Sequence, residues 1–217
     1  MDIAFEPSTV PMHQDRPLLI VDVDEVLALF VHGFGRFLAG HGLELRLDTF
    51  ALLQNIYRPG EEACLDVGEG RRLFDDFFRF DIADIEPAPG AVEALKALAG
   101  GVNIVILTNA PDHAREPRTR WLAKHGLDYP MLINKGPKGP AVARLATRVE
   151  APAAFVDDLI GNLDSATEAA PDVRTFQMVA DERLRHLAPT APERHPRFDD
   201  WADLKPELAR VLGLDRS

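Results

Sequence analysis

Two aspartates, Asp22 and Asp24, stand one residue apart directly after a short apolar run. The run, residues 18–21, is too short for a helix and partly β-branched, so it predicts a buried strand. Carboxylates at the end of a buried strand are costly unless a cation or a catalytic role accounts for them. Ligands of open α/β sheets bind beyond the carboxyl ends of the strands. The pair therefore indicates a functional site; the alternative is that both side chains cap the next helix.

Polar side chains also follow two later apolar runs, residues 102–107 and 153–156. If all three runs are parallel strands, their carboxyl ends meet at one edge of a sheet, and a loop between the last two can add an ammonium group there. The residues concerned are Thr108 and Asn109, Asp157 and Asp158, and the loop lysines Lys135 and Lys138.

Carboxylates, a hydroxyl and a lysine at one edge are the groups that magnesium-dependent phosphoryl transfer needs. Mg²⁺ prefers carboxylate oxygens and neutralises both these and an incoming phosphate. An aspartate can act as the nucleophile toward a phosphoryl group. Each residue also has a structural alternative: helix caps for Thr108, Asp157 and Asp158, a solvated loop lysine for Lys138, and turn chemistry for Asn109.

The elements that must position these residues alternate between strand and helix. Apolar runs predict strands over 18–21, 102–107, 131–133, 153–156 and 173–179, and helical spacing predicts helices over 91–99, 112–125, 140–149, 162–169 and 198–214. This alternation predicts an α/β fold with a parallel sheet covered on both faces. Prolines in residues 1–17 predict a loose arm, and those in 180–197 predict an irregular segment.

Composition limits the class of protein. The chain has 217 residues, 46% of them hydrophobic, which suits one core domain with an insertion. Its net charge of −11 makes nucleic acid an unfavourable partner. No apolar run approaches the ~20 residues that span a bilayer, and the start of the chain lacks the pattern of a signal peptide. The single cysteine, Cys64, rules out an internal disulfide and favours the cytoplasm. Abundant arginine and alanine suggest a bacterial source.

In order and placement, these motifs resemble those of the haloacid dehalogenase (HAD) superfamily, over residues 18–179. The resemblance implies a Rossmann-like core and four motifs. The first, Asp-x-Asp-x-(Thr/Val), matches Asp22, Asp24 and Val26; the second is Thr108 with Asn109; the third is Lys138, or alternatively Lys135; the fourth is Asp157 and Asp158, with Asn162 beyond them. Glu25 stands where the family often has glycine, which indicates an effect on loop shape.

The resemblance implies a role for each residue. Asp22 would be the nucleophile and a metal ligand, and Asp24 the general acid and base, with its backbone carbonyl on the metal. Thr108, Asn109 and Lys138 would bind the phosphate. Asp158 would bind Mg²⁺ directly, and Asp157 would support it or share the metal. Such parts position the reactants and neutralise charge, as phosphoryl transfer requires.

Residues 28–86 form the insertion between the first and second motifs, and we expect it to be a small, mostly helical cap on a core made of residues 1–27 and 87–217. Such a cap excludes water and contacts the substrate. Arg71 and Arg72 could reach a second anionic group, although an exposed basic pair is the expected alternative. Tyr57, Phe74, Phe77 and Phe78 could stack on a base or sugar, and packing is again the alternative.

The resemblance thus implies an enzyme: a Mg²⁺-dependent phosphatase acting on a small phosphorylated metabolite or a nucleotide through an aspartyl-phosphate. Because Asp24 is present, phosphate esters fit better than haloacids or phosphonates. A 5'-nucleotidase (deoxynucleotidase-like), a phosphoglycolate-type phosphatase and a phosphomutase are alternatives within the class. An inactive scaffold that binds a partner is the alternative outside it. The sequence leaves open the substrate, the oligomeric state and the role of residues 183–197.

Overall fold

Strands and helices alternate along most of the chain in the computed structural model, which describes residues 6–216. In chain order the elements are β1 (Leu18–Val21), α1 (Phe30–Gly40), β2 (Glu44–Leu45), β3 (Ile56–Tyr57), α2 (Val67–Phe80), α3 (Ala91–Leu98), β4 (Asn103–Asn109), α4 (Arg115–Lys124), β5 (Met131–Asn134), α5 (Gly139–Ala146), β6 (Ala153–Asp157), α6 (Ile160–Ala169), β7 (Arg174–Met178), β8 (Arg197–Phe198) and α7 (Trp201–Val211).

Six strands form one parallel sheet in the order β5-β4-β1-β6-β7-β8. The first strand therefore lies in the middle, between β4 and β6, and its four residues are fully buried. This placement explains its continuous apolar sequence, which is typical of a strand covered on both faces. The α/β class with a parallel sheet is confirmed, although the short edge strand β8 was not predicted.

Side chains alternate across the sheet, and each face packs against its own helices. Leu18 and Ile20 belong to the apolar cluster beneath α5 and α6. Leu19 and Val21 belong to the larger cluster that also contains residues of α3, α4 and α7. Helices on both faces are what a parallel sheet needs to bury its apolar surface.

The segment before β1 has no helix or strand, but it is not a loose arm in its described part, residues 6–17. Val10 is fully buried, and the Arg148 guanidinium donates hydrogen bonds to the backbone oxygens of Pro7 and Val10 at 2.7 and 2.6 Å. The Asn103 side chain accepts a hydrogen bond from the His13 backbone N–H and donates one to the His13 backbone oxygen, both at 2.8 Å. Long-range hydrogen bonds, invisible in the local pattern, fix this segment; residues 1–5 lie outside the described residues.

The insertion contains two α-helices, α1 and α2, joined by a segment that holds the antiparallel pair β2–β3. This pair was not predicted because two residues per strand are too few to give an alternating pattern. Phe30 and Phe34 of α1 meet Phe77 of α2 with ring centroids 5.2 and 5.3 Å apart. These aromatic rings belong to the same apolar cluster as one face of the sheet, so the insertion packs directly on the core.

The chain from 180 to 196 is irregular, as expected, and returns to the sheet at β8. Its buried His195 contacts the Thr175 hydroxyl at 2.8 Å and the Asp164 carboxylate at 2.9 Å, which ties this segment to β7 and α6. Within residues 6–216, no helix combines the length and apolar character needed to cross a bilayer.

Candidate active site

The strand register brings Asp22 and Asp157 side by side. Val21 of β1 pairs with Val156 of β6, and an aspartate follows each of these valines in the chain. The backbone N–H of Asp22 donates to the Val156 oxygen at 3.0 Å. By alternation both aspartates continue the face covered by α5 and α6. The two carboxylates therefore meet at the carboxyl edge of the sheet.

Lys138 lies between these two carboxylates. Its ammonium is fully buried, 2.8 Å from Asp22 Oδ1 and 2.6 Å from Asp157 Oδ2. Burial opposes its charge, but the two aspartates outweigh this effect and raise the pKa of the Lys138 ammonium above its usual range. Lys135, in contrast, pairs with Asp112 on the surface at 2.6 Å. Of the two loop lysines, the structure places only Lys138 in the site.

The close packing of α5 on α6 allows Lys138 to reach the strand ends. Gly139 follows it, and a Cβ at this position would lie 2.1 Å from the backbone oxygen of Ser165 in α6. The Gly139 N–H also donates to the Ser165 hydroxyl at 3.2 Å. Only glycine permits this approach of the two helices, and the approach fixes the position of the Lys138 backbone.

Three buried carboxylates, those of Asp22, Asp157 and Asp158, have oxygens within 4.8 Å of one another. Burial raises the pKa of Asp157 to about 6 against the effect of Lys138, and burial and the neighbouring aspartates raise the pKa of Asp158 well above its usual value. Asp157 also accepts hydrogen bonds from the Leu159 N–H and the Asn162 amide, at 2.9 and 3.0 Å. Apart from Lys138, no cation among the described residues 6–216 pairs with this trio.

A divalent cation fits this carboxylate trio. The donors are hard oxygens of the kind Mg²⁺ binds, and the cluster carries more negative charge than one lysine neutralises. The carboxylate of Asp158 accepts no hydrogen bond from a side chain or backbone group within residues 6–216, which leaves its oxygens available to an ion. Asp22 and Asp158 would hold the ion, with Asp157 beside them.

Asp24 lies outside the carboxylate trio, against Arg118 of α4. The Arg118 guanidinium is fully buried and donates to Asp24 Oδ1, while the Asp24 side chain is 22% exposed. Burial raises the pKa of the Asp24 carboxyl to about 6, against the lowering effect of the Arg118 cation. A carboxyl with such a pKa exchanges its proton near neutral pH, as a general acid and base must.

Glu25 adopts a left-handed backbone with φ of 58°, which few residues other than glycine tolerate. Its buried carboxyl accepts hydrogen bonds from the backbone N–H groups of Val31 and Asp181, at 2.7 and 3.2 Å. Burial raises the pKa of Glu25 to about 8. Glu25 thus links the loop after β1 to the first turn of α1 and to the loop after β7.

The remaining predicted residues lie around the same edge. Thr108, in β4, is fully buried, and its hydroxyl has no hydrogen-bond partner among the described residues. The Asn109 side chain donates to the Gly136 oxygen at 3.0 Å and accepts from Asn134 at 2.8 Å, so it holds the loop that leads to Lys138. Asn109 lines the cavity beside these strand ends, whereas Thr108 does not.

A cavity of about 240 Å³ opens above the site, between the strand ends and the insertion. Asp22, Asp24, Lys138 and Asp158 line one end. The other walls come mainly from residues 30–31, 47–55 and 74 of the insertion. Arg71 and Arg72 are exposed, and neither they nor Tyr57 line the cavity. Of the aromatic residues singled out in the sequence, only Phe74 does.

Sequence reasoning missed two residues of the site, Arg118 and Gln177. Arg118 is one of three arginines in α4, and only its spacing from the buried Trp121 and Leu122 marks it as facing inward. The Gln177 amide is buried and donates to the backbone oxygen of Asp158 at 2.9 Å. Gln177 belongs to a strand that was predicted only as core, and no local signal separates it from its neighbours.

Neither a protein-family model nor a curated protein sequence matches this chain. Solved structures do. The predicted HAD-hydrolase YfnB from Bacillus subtilis, solved with bound magnesium, is 17% identical with a TM-score of 0.59 and covers 90% of this chain and 99% of its own. A HAD-superfamily hydrolase from Geobacter sulfurreducens is 19% identical with a TM-score of 0.57 and covers 90% and 97%.

A third structure, a predicted phosphoglycolate phosphatase from Lactobacillus plantarum, is 18% identical with a TM-score of 0.52 and covers 88% of this chain and 98% of its own. At these identities the likeness defines the fold and leaves the chemistry to the site residues. The chain therefore has the fold of the haloacid dehalogenase-like hydrolases, and the resemblance drawn from the motifs is confirmed at that level.

Proposed function

We propose that this protein is a Mg²⁺-dependent phosphatase that hydrolyses a small phosphomonoester through an aspartyl-phosphate on Asp22. The observation that carries the proposal is the buried trio of Asp22, Asp157 and Asp158, balanced by one lysine at the carboxyl edge of the sheet. Such a concentration of charge is costly, and a metal ion together with a phosphoryl group accounts for it.

In the first step, the Asp22 carboxylate attacks the phosphorus atom and the bond between phosphorus and the ester oxygen breaks. Asp24, protonated at this stage, gives its proton to the departing oxygen, and the alcohol leaves. Lys138 and the Thr108 hydroxyl hold the phosphoryl oxygens, and Lys138 also offsets charge on Asp22. The backbone N–H of Asn109, at the same edge of the sheet, also donates to a phosphoryl oxygen.

In the second step, Asp24 accepts a proton from a water molecule, whose oxygen attacks the phosphorus of the aspartyl-phosphate. The bond between phosphorus and the Asp22 oxygen breaks, which releases inorganic phosphate and restores the carboxylate. One residue thus serves first as acid and then as base, for which a pKa near neutrality is suited.

Mg²⁺, when bound, neutralises the phosphate and the carboxylates and orients the phosphoryl group for in-line attack. Asp22 and Asp158 would hold the ion with their carboxylates, the Asp24 backbone carbonyl would contribute, and Asp157 fixes Lys138 beside the site. Gln177 positions Asp158 through its backbone oxygen. Residues 28–86 act as a cap on the core of residues 1–27 and 87–217, since this segment supplies about half of the residues that line the cavity. We place the enzyme in the cytoplasm, because it has a single cysteine.

The test is phosphate release from a panel of phosphomonoesters, including p-nitrophenyl phosphate, with and without Mg²⁺. Asp22→Asn is the decisive variant and Asp112→Asn, a surface aspartate, is its control. We expect turnover that requires Mg²⁺, is lost in Asp22→Asn and is kept in Asp112→Asn. No release from any ester by folded protein, or release that survives Asp22→Asn, would reject the proposal and favour a scaffold that only binds.

A further inference from the structure

We infer that the organic part of the substrate is uncharged, compact and largely apolar, such as an alkyl or benzyl group. This inference rests on the proposed function, because it takes the carboxylate end of the cavity as the place of the phosphoryl group. It concerns the opposite end, which the mechanism does not use.

Apolar side chains make the walls opposite the carboxylates. Phe30 and Phe74 lie with ring centroids 5.6 Å apart, and both line the cavity. Further apolar side chains complete the surface, among them Val31, Phe50, Leu52 and Leu184. Binding of apolar groups against such a surface is favourable, because it removes apolar area from water.

Apart from the site carboxylates and Lys138, Glu25 is the charged residue among residues 6–216 that lines the cavity, and its carboxyl accepts hydrogen bonds from two backbone N–H groups. Among the described residues that line the cavity, Lys138 is the single cation, and two aspartates already occupy its ammonium. Arg118 pairs with Asp24 and does not line the cavity. A second phosphate or a carboxylate on the substrate would therefore enter an apolar space without a partner, which is costly.

Polar groups in the walls are largely used within the protein. The Asn55 amide donates to the Thr49 backbone oxygen at 2.7 Å and accepts from the Thr49 hydroxyl at 3.2 Å. Asn109 holds the backbone of Gly136 and the side chain of Asn134. The walls thus offer little to the hydroxyl groups of a sugar.

The volume of the cavity also favours a compact organic group. Its volume of about 240 Å³, which includes the space for the phosphoryl group, is smaller than the roughly 300–1,000 Å³ typical of sites for drug-sized ligands. A group of the size of a benzyl or branched alkyl chain suits the remaining space better than a nucleoside. Leu159, 43% exposed, stands at the edge and extends the apolar surface outward.

The direct experiment is binding, which needs no turnover. Benzylphosphonate and phosphonoacetate both carry a phosphonate group. The rest of benzylphosphonate is an apolar ring, whereas the rest of phosphonoacetate carries a carboxylate. We expect calorimetry with Mg²⁺ to give tighter binding of benzylphosphonate by about tenfold or more. Equal affinities, or tighter binding of phosphonoacetate, would overturn the inference whether or not the protein is an enzyme.

Measurements of turnover distinguish a failure of this inference from a failure of the proposed function. Benzyl phosphate, phosphoglycolate and glycerol 3-phosphate all release a primary alcohol, so their intrinsic reactivities are similar. We expect kcat/KM for benzyl phosphate to exceed the other two by about tenfold or more. Hydrolysis of p-nitrophenyl phosphate together with a preference for phosphoglycolate would reject the inference and keep the phosphatase. Absence of all hydrolysis would reject the phosphatase, and the phosphonate affinities would then decide the inference.

A variant of the wall gives an internal check. Leu52 is only partly buried, so Leu52→Lys places a cation in the apolar part without disturbing the core. We expect it to reverse the preference toward phosphonoacetate, whereas Leu52→Met keeps the wild-type order. If Leu52→Lys, with an unchanged circular dichroism spectrum, leaves the ratio of the two affinities as in the wild type, the assigned wall is wrong.

Discussion

The guanidinium of Arg118 reaches from α4 to the carboxylate of Asp24 and is its ion-pair partner at the edge of the site. Arg118 is fully buried, stacks over the Phe78 ring at 5.4 Å, and leaves Nε and Nη1 without partners in the described residues. A buried arginine with two unsatisfied nitrogens is destabilising. We therefore infer that Arg118 serves to set the pKa and the position of the Asp24 carboxyl.

Replacement of Arg118 should therefore move the pH dependence of the reaction. The Arg118 cation lowers the pKa of Asp24, so Arg118→Met raises that pKa further. Because Asp24 must be protonated to act as the acid, activity is lost as pH rises through its pKa. We expect the alkaline fall of kcat/KM to shift to higher pH in Arg118→Met. We also expect the maximal kcat to fall about tenfold to a hundredfold, because Asp24 loses the hydrogen bond that holds it in place.

The control for this prediction is Arg118→Lys, which keeps the positive charge. It should restore the position of the alkaline fall even if the rate stays low. A profile of Arg118→Met that coincides with the wild type, in protein with a normal circular dichroism spectrum, would leave Arg118 with a packing role alone.

The two loop lysines should differ sharply in their effect on stability. Lys138→Met leaves Asp22 and Asp157 buried without their cation, a change that costs about 3–5 kcal/mol. Lys135→Met removes only a surface pair with Asp112 and should leave stability unchanged. Urea unfolding of both variants measures the difference, and phosphate release should vanish only in Lys138→Met. Similar midpoints for the two variants would contradict the buried ion-pair network.

The carboxylate trio should be destabilising without metal. Asp158→Asn removes one of three clustered charges, so we expect a rise in the metal-free stability on the order of 1–3 kcal/mol. Mg²⁺ should raise the Tm of the wild type, since it binds the folded state, and should have little effect on this variant. Asp128→Asn, an exposed aspartate, is the control of equal charge. An equal response of all three proteins to Mg²⁺ would exclude the trio as the metal site.

The convergence of the site follows from the sequence, because parallel strands with polar ends share an edge. The pairing of Val21 with Val156, which puts Asp22 beside Asp157, needs the strand order as well as the strand ends, because β1 must lie next to β6. Arg118 does not follow: its spacing from Trp121 and Leu122 marks it as facing inward, but no local pattern shows that it meets Asp24. The strands β2 and β3 have two residues each, and the cavity walls depend on how α1 and α2 fold over the sheet. These features are set by tertiary contacts.

Gly139 should tolerate no side chain. In Gly139→Ala the new Cβ would meet the Ser165 backbone oxygen at 2.1 Å, so α5 must move away from α6. We expect a loss of about 1–3 kcal/mol and a lower kcat, because Lys138 moves with the helix. Gly161→Ala is the matched control: it lies in α6 with open space around it, and should stabilise by about 0.5–1 kcal/mol. Thermal unfolding of both variants measures the two changes in stability. If Gly139→Ala is as stable as Gly161→Ala, the close approach of α5 to α6 is refuted.

Stability of the metal-free protein should fall as pH rises from about 5 to 9. Burial raises the pKa of Glu25 to about 8 and those of Asp24 and Asp157 to about 6 in the folded state, above their usual values. The folded protein therefore holds these protons more tightly than the unfolded chain, and their stabilising effect is complete below about pH 4 and lost as pH passes through 6 to 8. With EDTA present, we expect the Tm to drop on the order of 10 °C over this range.

Glu25 should account for the part of this fall in stability that extends above pH 7, since its pKa of about 8 is higher than those of Asp24 and Asp157. Glu25→Gln cannot ionise, so its Tm should change less between pH 7 and 9 than that of the wild type, although the amide meets one backbone N–H unfavourably and lowers stability throughout. Parallel curves for the two proteins would mean that Glu25 is already ionised at pH 7, and that its two backbone hydrogen bonds outweigh the effect of burial on its pKa.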